Sequence, residues 1–143
     1  NYRCITGLNM TSGDKYDFDF SGKVILVVED NAISFKLMAA VLKQVKATVV
    51  HASNGRMAIE ACLKEEHFDL VFMDMQMPEV DGLEATRRIK EMRPWLPVVA
   101  TTANTYDENA QACKEAGCDE FLTKPLQFRK MFELMQYFFD RQA

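Results

Sequence analysis

Carboxylates, hydroxyls and one lysine directly follow four short apolar runs of the chain. The set comprises Glu29, Asp30, Asp74, Thr101, Thr102 and Lys124. Three carboxylates held within a few ångströms of one another repel, so such a cluster requires either a bound proton or a cation. All-oxygen ligands favour a hard ion, and an open site of this kind suits Mg²⁺, which keeps water ligands and binds phosphate oxygens. Together with a lysine and a hydroxyl, the cluster predicts a phosphoryl-transfer site in which positioning and charge neutralisation do most of the catalysis.

The apolar runs have the length and composition of buried β-strands, and amphipathic segments separate them. The predicted strands are residues 24–28, 48–50, 70–73, 97–100 and 121–122. Asn31 is expected to cap the first helix, whose apolar face would be Leu37, Met38, Val41, Leu42 and Val45. The second helix would bury Ala58, Ile59, Cys62 and Leu63, and the last helix would span residues 126–140.

Regular alternation of strand and helix predicts a doubly wound α/β fold, with a five-stranded parallel sheet and helices on both faces. Ligands of such sheets bind at the carboxyl ends of the strands. If strands 1 and 3 are neighbours, as in the flavodoxin-like order 2-1-3-4-5, then Glu29, Asp30 and Asp74 share one end of the sheet.

Composition places the chain among ordinary globular domains. It has 143 residues, of which 48% are hydrophobic, and its formal net charge of −4 argues against nucleic acid as a partner. No apolar run approaches the roughly 20 residues of a membrane span, so no membrane contact by this domain is expected. The spacing of the four cysteines fits reduced thiols of a cytoplasmic protein, and His51 and His67 are interpreted as ordinary polar residues.

Residues 1–23 differ in composition from the rest and are interpreted as a connector from an upstream region, with the domain itself at 24–140. Within the connector, residues 16–20 (YDFDF) alternate with period 2, a pattern that an edge strand or a docking segment would also give. Because the chain begins with Asn1 rather than Met, we expect it to be a piece of a longer protein.

Tyr137, Phe138 and Phe139 are consecutive in the last helix, so their rings cannot all face the sheet. At least one ring is therefore expected to be exposed or covered by the N-terminal segment, an upstream domain or a second copy of the chain. A homodimer or a docking partner at the last helix would follow from the latter cases.

Four stretches carry a specific pattern of residue types, namely residues 24–31 (VILVVEDN), 73–82 (MDMQMPEVDG), 97–103 (PVVATTA) and 121–125 (FLTKP). In type and order they resemble the receiver domain of two-component response regulators, most closely the receivers of hybrid sensor histidine kinases. The resemblance implies a phosphorelay module whose partner is the phosphohistidine of a histidine kinase or phosphotransfer domain. The parent chain would then be a hybrid kinase, membrane-anchored or not, or else a free-standing receiver.

The resemblance also implies a metal site and a phosphoacceptor. Asp74 would accept the phosphoryl group. Asp30, Asp74 and the main-chain carbonyl of Gln76 would bind Mg²⁺, and Glu29 would hold a metal-bound water. Lys124 would pair with the phosphoryl group.

A switch is implied at the neighbouring strand ends. Thr102 would hydrogen-bond the phosphoryl group and move with the aromatic residue Phe121 on activation. The alignment favours Thr102 over Thr101 for this role, and the Lys124–Pro125 peptide is expected to be cis.

Two other function classes remain open on the residues alone. A phosphatase of the haloacid dehalogenase type also uses Asp, Mg²⁺, Thr and Lys, but it requires a second Asp where Gln76 stands. A receiver-like domain that only binds partners would usually have lost one of the acidic residues or the lysine.

Overall fold

The computed structural model describes residues 17–64, 66–77, 82–103 and 108–142, and strands and helices alternate throughout these ranges. The elements are β1 (Val24–Val28), α1 (Ala32–Gln44), β2 (Thr48–Ala52), α2 (Gly55–Leu63), β3 (Leu70–Asp74), α3 (Gly82–Met92), β4 (Val98–Thr102), α4 (Glu108–Ala116), β5 (Glu120–Thr123) and α5 (Phe128–Asp140). The five strands form one parallel sheet in the order β2-β1-β3-β4-β5. The predicted doubly wound α/β fold is therefore confirmed, with strand ends within about two residues of those predicted.

Asparagine side chains start the two helices that follow β1 and β2. Asn31 accepts a hydrogen bond from the N–H of Ser34 (2.9 Å), and Asn54 accepts one from the N–H of Met57 (2.8 Å). Each bond satisfies a backbone donor that the first helical turn leaves without a partner. Both helices therefore begin directly after their strands, which keeps the loops at the carboxyl edge of the sheet short.

Helices cover both faces of the sheet, and β1 shows how the chain divides its side chains between them. Ile25 and Val27 pack with α1 and α5, whereas Leu26 and Val28 pack with α2 and α3. Successive side chains of a strand point to opposite faces, so a strand buried on both sides must be apolar throughout.

Two predicted core residues lie at the surface instead. Leu37 of α1 is 56% exposed and Leu63 of α2 is 65% exposed, while their neighbours Met38 and Cys62 are buried. Each helix therefore buries a narrower stripe than its apolar residues predict.

The end of the predicted connector packs against the domain. Phe20 is only 2% exposed, its N–H donates to the carbonyl of Val45 (2.7 Å), and its ring centroid lies 5.0 Å from that of Phe139. Phe18 lies 5.5 Å from Phe132 of α5 in the same way. Residues 17–20 form no strand, and residues 1–16 lie outside the described part of the chain.

Phe139, one of the three consecutive aromatic residues of α5, is thus covered by the N-terminal segment. Tyr137, by contrast, is 49% exposed. The boundary at residue 23 stays a prediction, although Phe20 contributes to the core of the domain. No helix among the described residues is long and apolar enough to cross a membrane.

Two aspartates close the amino-terminal edge of the sheet with the same pair of hydrogen bonds. Asp69 donates its N–H to the carbonyl of Val24 and accepts the N–H of Val24 on Oδ2, both at 2.8 Å. Asp119 makes the same two bonds, also at 2.8 Å, with Val98. Each aspartate precedes one strand and binds the first residue of the adjacent strand, so the pair fixes the register of β1 against β3 and of β4 against β5.

We expect Asp119→Ala to lower the free energy of unfolding by about 1–3 kcal/mol, because the buried N–H of Val98 would lose its acceptor. Asp119→Asn keeps an oxygen at this position and should recover most of that loss, although the contact of Oδ2 with Lys90 Nζ (2.9 Å) would lose its charge. Urea unfolding of the three proteins measures the difference. Equal losses in both variants would show that the ion pair, not the acceptor, matters.

Candidate functional site

Three carboxylates meet at the carboxyl edge of the sheet, as predicted. Oxygens of Glu29, Asp30 and Asp74 all lie within 4.8 Å of one another. Glu29 and Asp30 follow β1, Asp74 ends β3, and these strands are parallel neighbours in which Val28 is aligned with Met73. The strand order alone therefore forces the three side chains together.

Burial and the proximity of Asp74 disfavour the charged form of the Glu29 side chain. It is 9% exposed, and burial together with the nearby charge of Asp74 raises its pKa from 4.5 to about 7. A hydrogen bond from the N–H of Asn31 to Oε2 (3.2 Å) opposes the rise without cancelling it. Asp30 lies beside it at the exposed side of the cluster.

Asp74 is 3% exposed, and one of its oxygens receives two hydrogen bonds. Oδ1 accepts from the main-chain N–H of Gln76 (2.9 Å) and from Nζ of Lys124 (3.1 Å). Lys124 lies in the loop after β5. The ends of β1, β3 and β5 therefore all contribute side chains near this carboxylate. Gln76, expected to bind metal through its carbonyl, is thereby placed next to Asp74.

A close backbone contact sets the position of the Asp74 turn. A Cβ atom at Gly82, the first residue of α3, would lie 2.8 Å from the carbonyl oxygen of Asp74 and 2.6 Å from Sδ of Met75. Only glycine allows the start of α3 to lie this close to the end of β3.

The two threonines at the end of β4 lie on opposite faces of the sheet. Thr101 is aligned with Asp74, and Thr102 is aligned with Thr123 of β5. Both are at most 3% exposed. Thr102 also accepts the N–H of Lys124 on its main-chain carbonyl (2.8 Å), which connects it to the lysine loop.

Phe121 shares a sheet face with Thr102, because it is aligned with Ala100 and side chains alternate along a strand. It is half-buried. This placement suits the predicted coupled movement, which stays a prediction. The Lys124–Pro125 peptide is cis, as the resemblance implied.

A cavity of about 280 Å³ opens beside the acidic cluster, between α1 and the start of α5. Glu29, Thr101 and Lys124 supply its polar wall, and Leu37, Met38 and Leu126 are among the apolar residues that line the rest. The site therefore combines a charged end with an apolar approach.

Sequence reasoning missed one contact to the site. His51, interpreted as an ordinary polar residue, has its Nε2 atom 2.8 Å from the main-chain oxygen of Glu29. The pairing of β1 with β2 could have indicated it, because His51 is aligned with Val27, two residues before Glu29. The described cysteines, Cys62, Cys113 and Cys118, are free thiols as predicted, and Cys4 lies outside the described residues.

The sequence is similar to a known domain family and to parts of several histidine kinases. The family model of the response regulator receiver domain matches residues 25–136. Histidine kinase 3 of Arabidopsis thaliana is 34% identical over 141 residues, covering 83% of this chain and 14% of the kinase. Hybrid signal transduction histidine kinase M of Dictyostelium discoideum is 34% identical over 119 residues, covering 78% of this chain and 5% of that protein. The chain thus spans a small fraction of the curated relatives that it matches.

Solved structures of receiver domains are also similar to this chain. The receiver domain of a sensor histidine kinase from Pseudomonas aeruginosa, crystallised with a magnesium ion in its active-site cleft, superposes with a TM-score of 0.77 at 28% identity, covering 82% of this chain and 98% of that one. A receiver domain co-crystallised with a histidine phosphotransfer protein, the Saccharomyces cerevisiae pair Ssk1 and Ypd1, gives 0.79 at 27% identity, with 87% and 93% covered.

The raised pKa of Glu29 predicts how the metal-free protein responds to pH. The folded chain retains the Glu29 proton above pH 4.5 while the unfolded chain loses it, so the free energy of unfolding should fall between about pH 4.5 and 7. Glu29→Gln removes this group, and its stability relative to wild type should rise over the same interval. Urea unfolding in the presence of a chelator from pH 4.5 to 8 measures the difference, and a difference independent of pH would contradict the clustered geometry.

Proposed function

The chain belongs to the response regulator receiver domain family, and we propose that Asp74 is the residue of this two-component phosphorelay module that accepts the phosphoryl group. The observation that carries the proposal is the placement of Asp74, buried at the carboxyl edge beside two other carboxylates and 3.1 Å from the Lys124 amine. No other carboxylate in the described part of the chain combines these neighbours.

In the proposed reaction, an oxygen of Asp74 attacks the phosphorus of a phosphohistidine. The new O–P bond forms as the P–N bond breaks, and the imidazole nitrogen keeps the electron pair. Lys124 already lies against Oδ1 of Asp74 and would pair with the oxygens of the transferred group. The N–H of Gln76 holds the carboxylate in place, so the catalytic contribution of these residues is mainly positioning.

Glu29, Asp30 and Asp74 fit a divalent cation because they place three carboxylate oxygens within 4.8 Å of one another, where burial and the charge of Asp74 already raise the pKa of Glu29 to about 7. Asp30, Asp74 and the main-chain oxygen of Gln76 would hold Mg²⁺ directly, and Glu29 would hold one of its waters. When bound, the ion neutralises charge on the phosphoryl oxygens. Thr102 and Phe121 are proposed to report phosphorylation to partners from the adjacent strand ends.

The parent protein is proposed to be a cytoplasmic or membrane-anchored hybrid histidine kinase, with this domain on the cytoplasmic side. Support comes from the histidine kinases among its relatives and from the free thiols, which suit a reducing compartment. A phosphohistidine donor must reach Asp74, and Lys124, which binds Asp74, lines the cavity, so the donor's docking surface is proposed to border the cavity. Leu37 of α1 lines the cavity and is 56% exposed, and Ile33, one turn earlier in the same helix, is 79% exposed.

A second contact face is proposed at α5, for a homodimer or another partner. Tyr137 is 49% exposed, stacks under the guanidinium of Arg141 (3.6 Å), and borders a groove of about 570 Å³ between β5 and α5. Exposed aromatic residues of this kind are common anchors in protein interfaces.

Intact mass spectrometry after incubation with acetyl phosphate tests the acceptor. Wild type should gain one phosphoryl group in the presence of Mg²⁺ and none after chelation, while Asp74→Asn should gain none in either condition. Asp69→Asn, a change at the other buried aspartate next to β3, should behave as wild type. If wild type also gains nothing from a phosphorylated histidine protein, the domain only binds partners and the proposal is wrong.

Leu37→Ser should slow phosphoryl transfer from a phosphohistidine protein by about tenfold, since an apolar anchor in an interface is worth 1 kcal/mol or more. Transfer from acetyl phosphate should not change. Leu63→Ser, at an equally exposed leucine distant from the cavity, is the matched control. A slower transfer in Tyr137→Ser with Leu37→Ser unaffected would place the donor at α5 instead.

A further inference from the structure

Both main-chain groups of Glu29 are bound by β2. Its N–H donates to the carbonyl of Ala52 (3.0 Å), and its own carbonyl lies 2.8 Å from Nε2 of His51. Because a carbonyl oxygen can only accept, Nε2 must carry the proton and act as the donor. The edge strand β2 therefore binds Glu29 through both its N–H and its carbonyl group.

The His51 ring is itself fixed by stacking. Its centroid lies 3.7 Å from that of Phe35, with an interplanar angle of 11°. Phe35 lies in the first turn of α1, where its N–H donates to the carbonyl of Asn31 (2.9 Å). His51 thus contacts both the turn at residues 29–31 and the helix that follows it. It binds the Glu29 carbonyl at the start of the turn and stacks on Phe35 of that helix.

We propose that His51 is a positioning residue for the acidic turn, acting on Mg²⁺ binding through the Glu29 carbonyl; this inference rests on the proposed function. The hydrogen bond fixes the peptide plane between Glu29 and Asp30, from which both carboxylates project. Asp30 is exposed, so its position depends on this backbone more than that of buried Asp74 does. Asp74 is held by separate contacts from Gln76 and Lys124, which the histidine does not touch.

Because Glu29 and Asp74 are held by separate contacts, a change at His51 should affect the affinity for Mg²⁺ and the rate of phosphorylation differently. Loss of the His51 donor should weaken Mg²⁺ binding, because two carboxylates of the cluster would no longer be held in one arrangement before the ion arrives. The rate of phosphorylation at saturating Mg²⁺ should change little, because the nucleophile and the lysine keep their own contacts.

Isothermal titration with Mg²⁺ tests the proposal, together with phosphorylation by acetyl phosphate at increasing Mg²⁺. His51→Ala should raise the Kd for Mg²⁺ by about three- to tenfold, the size expected for one hydrogen bond that orients a ligand group. His51→Gln offers a side-chain amide donor to the same carbonyl and should recover much of the affinity. The only other histidine, His67, is exposed and contacts Asp69 at the opposite edge of the sheet, so His67→Ala should match wild type.

Several outcomes would overturn the inference. These are an unchanged Kd in His51→Ala, no recovery in His51→Gln, or a lower plateau rate of phosphorylation with an unchanged Kd. Phe35→Leu, which removes the stacking partner but keeps the histidine, should give a smaller loss of affinity and provides a second variant if His51→Ala unfolds. If wild type itself binds no Mg²⁺, the proposed metal site and this inference both fail, whereas Mg²⁺ binding by wild type with an unchanged Kd in His51→Ala overturns the inference alone.

Discussion

Three carboxylates repel one another at the carboxyl edge of the sheet, and the neighbouring residues are arranged to hold them there. Lys124 and the N–H of Gln76 bind Asp74, and the N–H of Asn31 binds Glu29, yet burial and the nearby charge of Asp74 still raise the pKa of Glu29 to about 7. The domain therefore retains an unresolved electrostatic cost at one edge, as expected for a site that acquires a cation and a phosphoryl group.

The two edges of the sheet are built differently. At the amino-terminal edge, Asp69 and Asp119 satisfy the first backbone donors of adjacent strands, and each has a basic partner, His67 and Lys90 respectively. Carboxylates there close hydrogen bonds, whereas those at the other edge compete with one another. Carboxylates stabilise strand pairing where the strands begin, and they form the candidate site where the strands end.

Much of this could be predicted from the sequence because its signals are local. Continuous apolar runs specify strands buried on both faces, and Asn31 indicates a helix start through a bond to a residue three positions away. Once β1 and β3 are taken as neighbours, their parallel pairing brings Asp30 and Asp74 together. The resemblance to receivers supplied the proposed roles of Thr102 and Phe121, which the spacing alone does not give.

The features that could not be predicted depend on contacts between distant residues. Whether Leu37 is buried depends on how far the sheet extends beneath α1, and the bond from His51 depends on the pairing of β1 with β2. The alignment favours Thr102 over Thr101, but the hydrogen bond from the N–H of Lys124 to the Thr102 carbonyl joins residues more than 20 positions apart and could not be predicted. Periodicity identifies the apolar side of a helix or strand, but not how much of that side the neighbouring elements bury.

The packing of Phe18 and Phe20 has a consequence for how such a domain can be inherited. Recombination that joined a foreign sequence at Val24 would transfer every strand and every residue of the acidic cluster. It would leave behind the rings that cover Phe132 and Phe139, and would expose apolar surface on α5. A unit exchanged between signalling proteins without exposing this surface would therefore include Phe18, several residues upstream of the first strand.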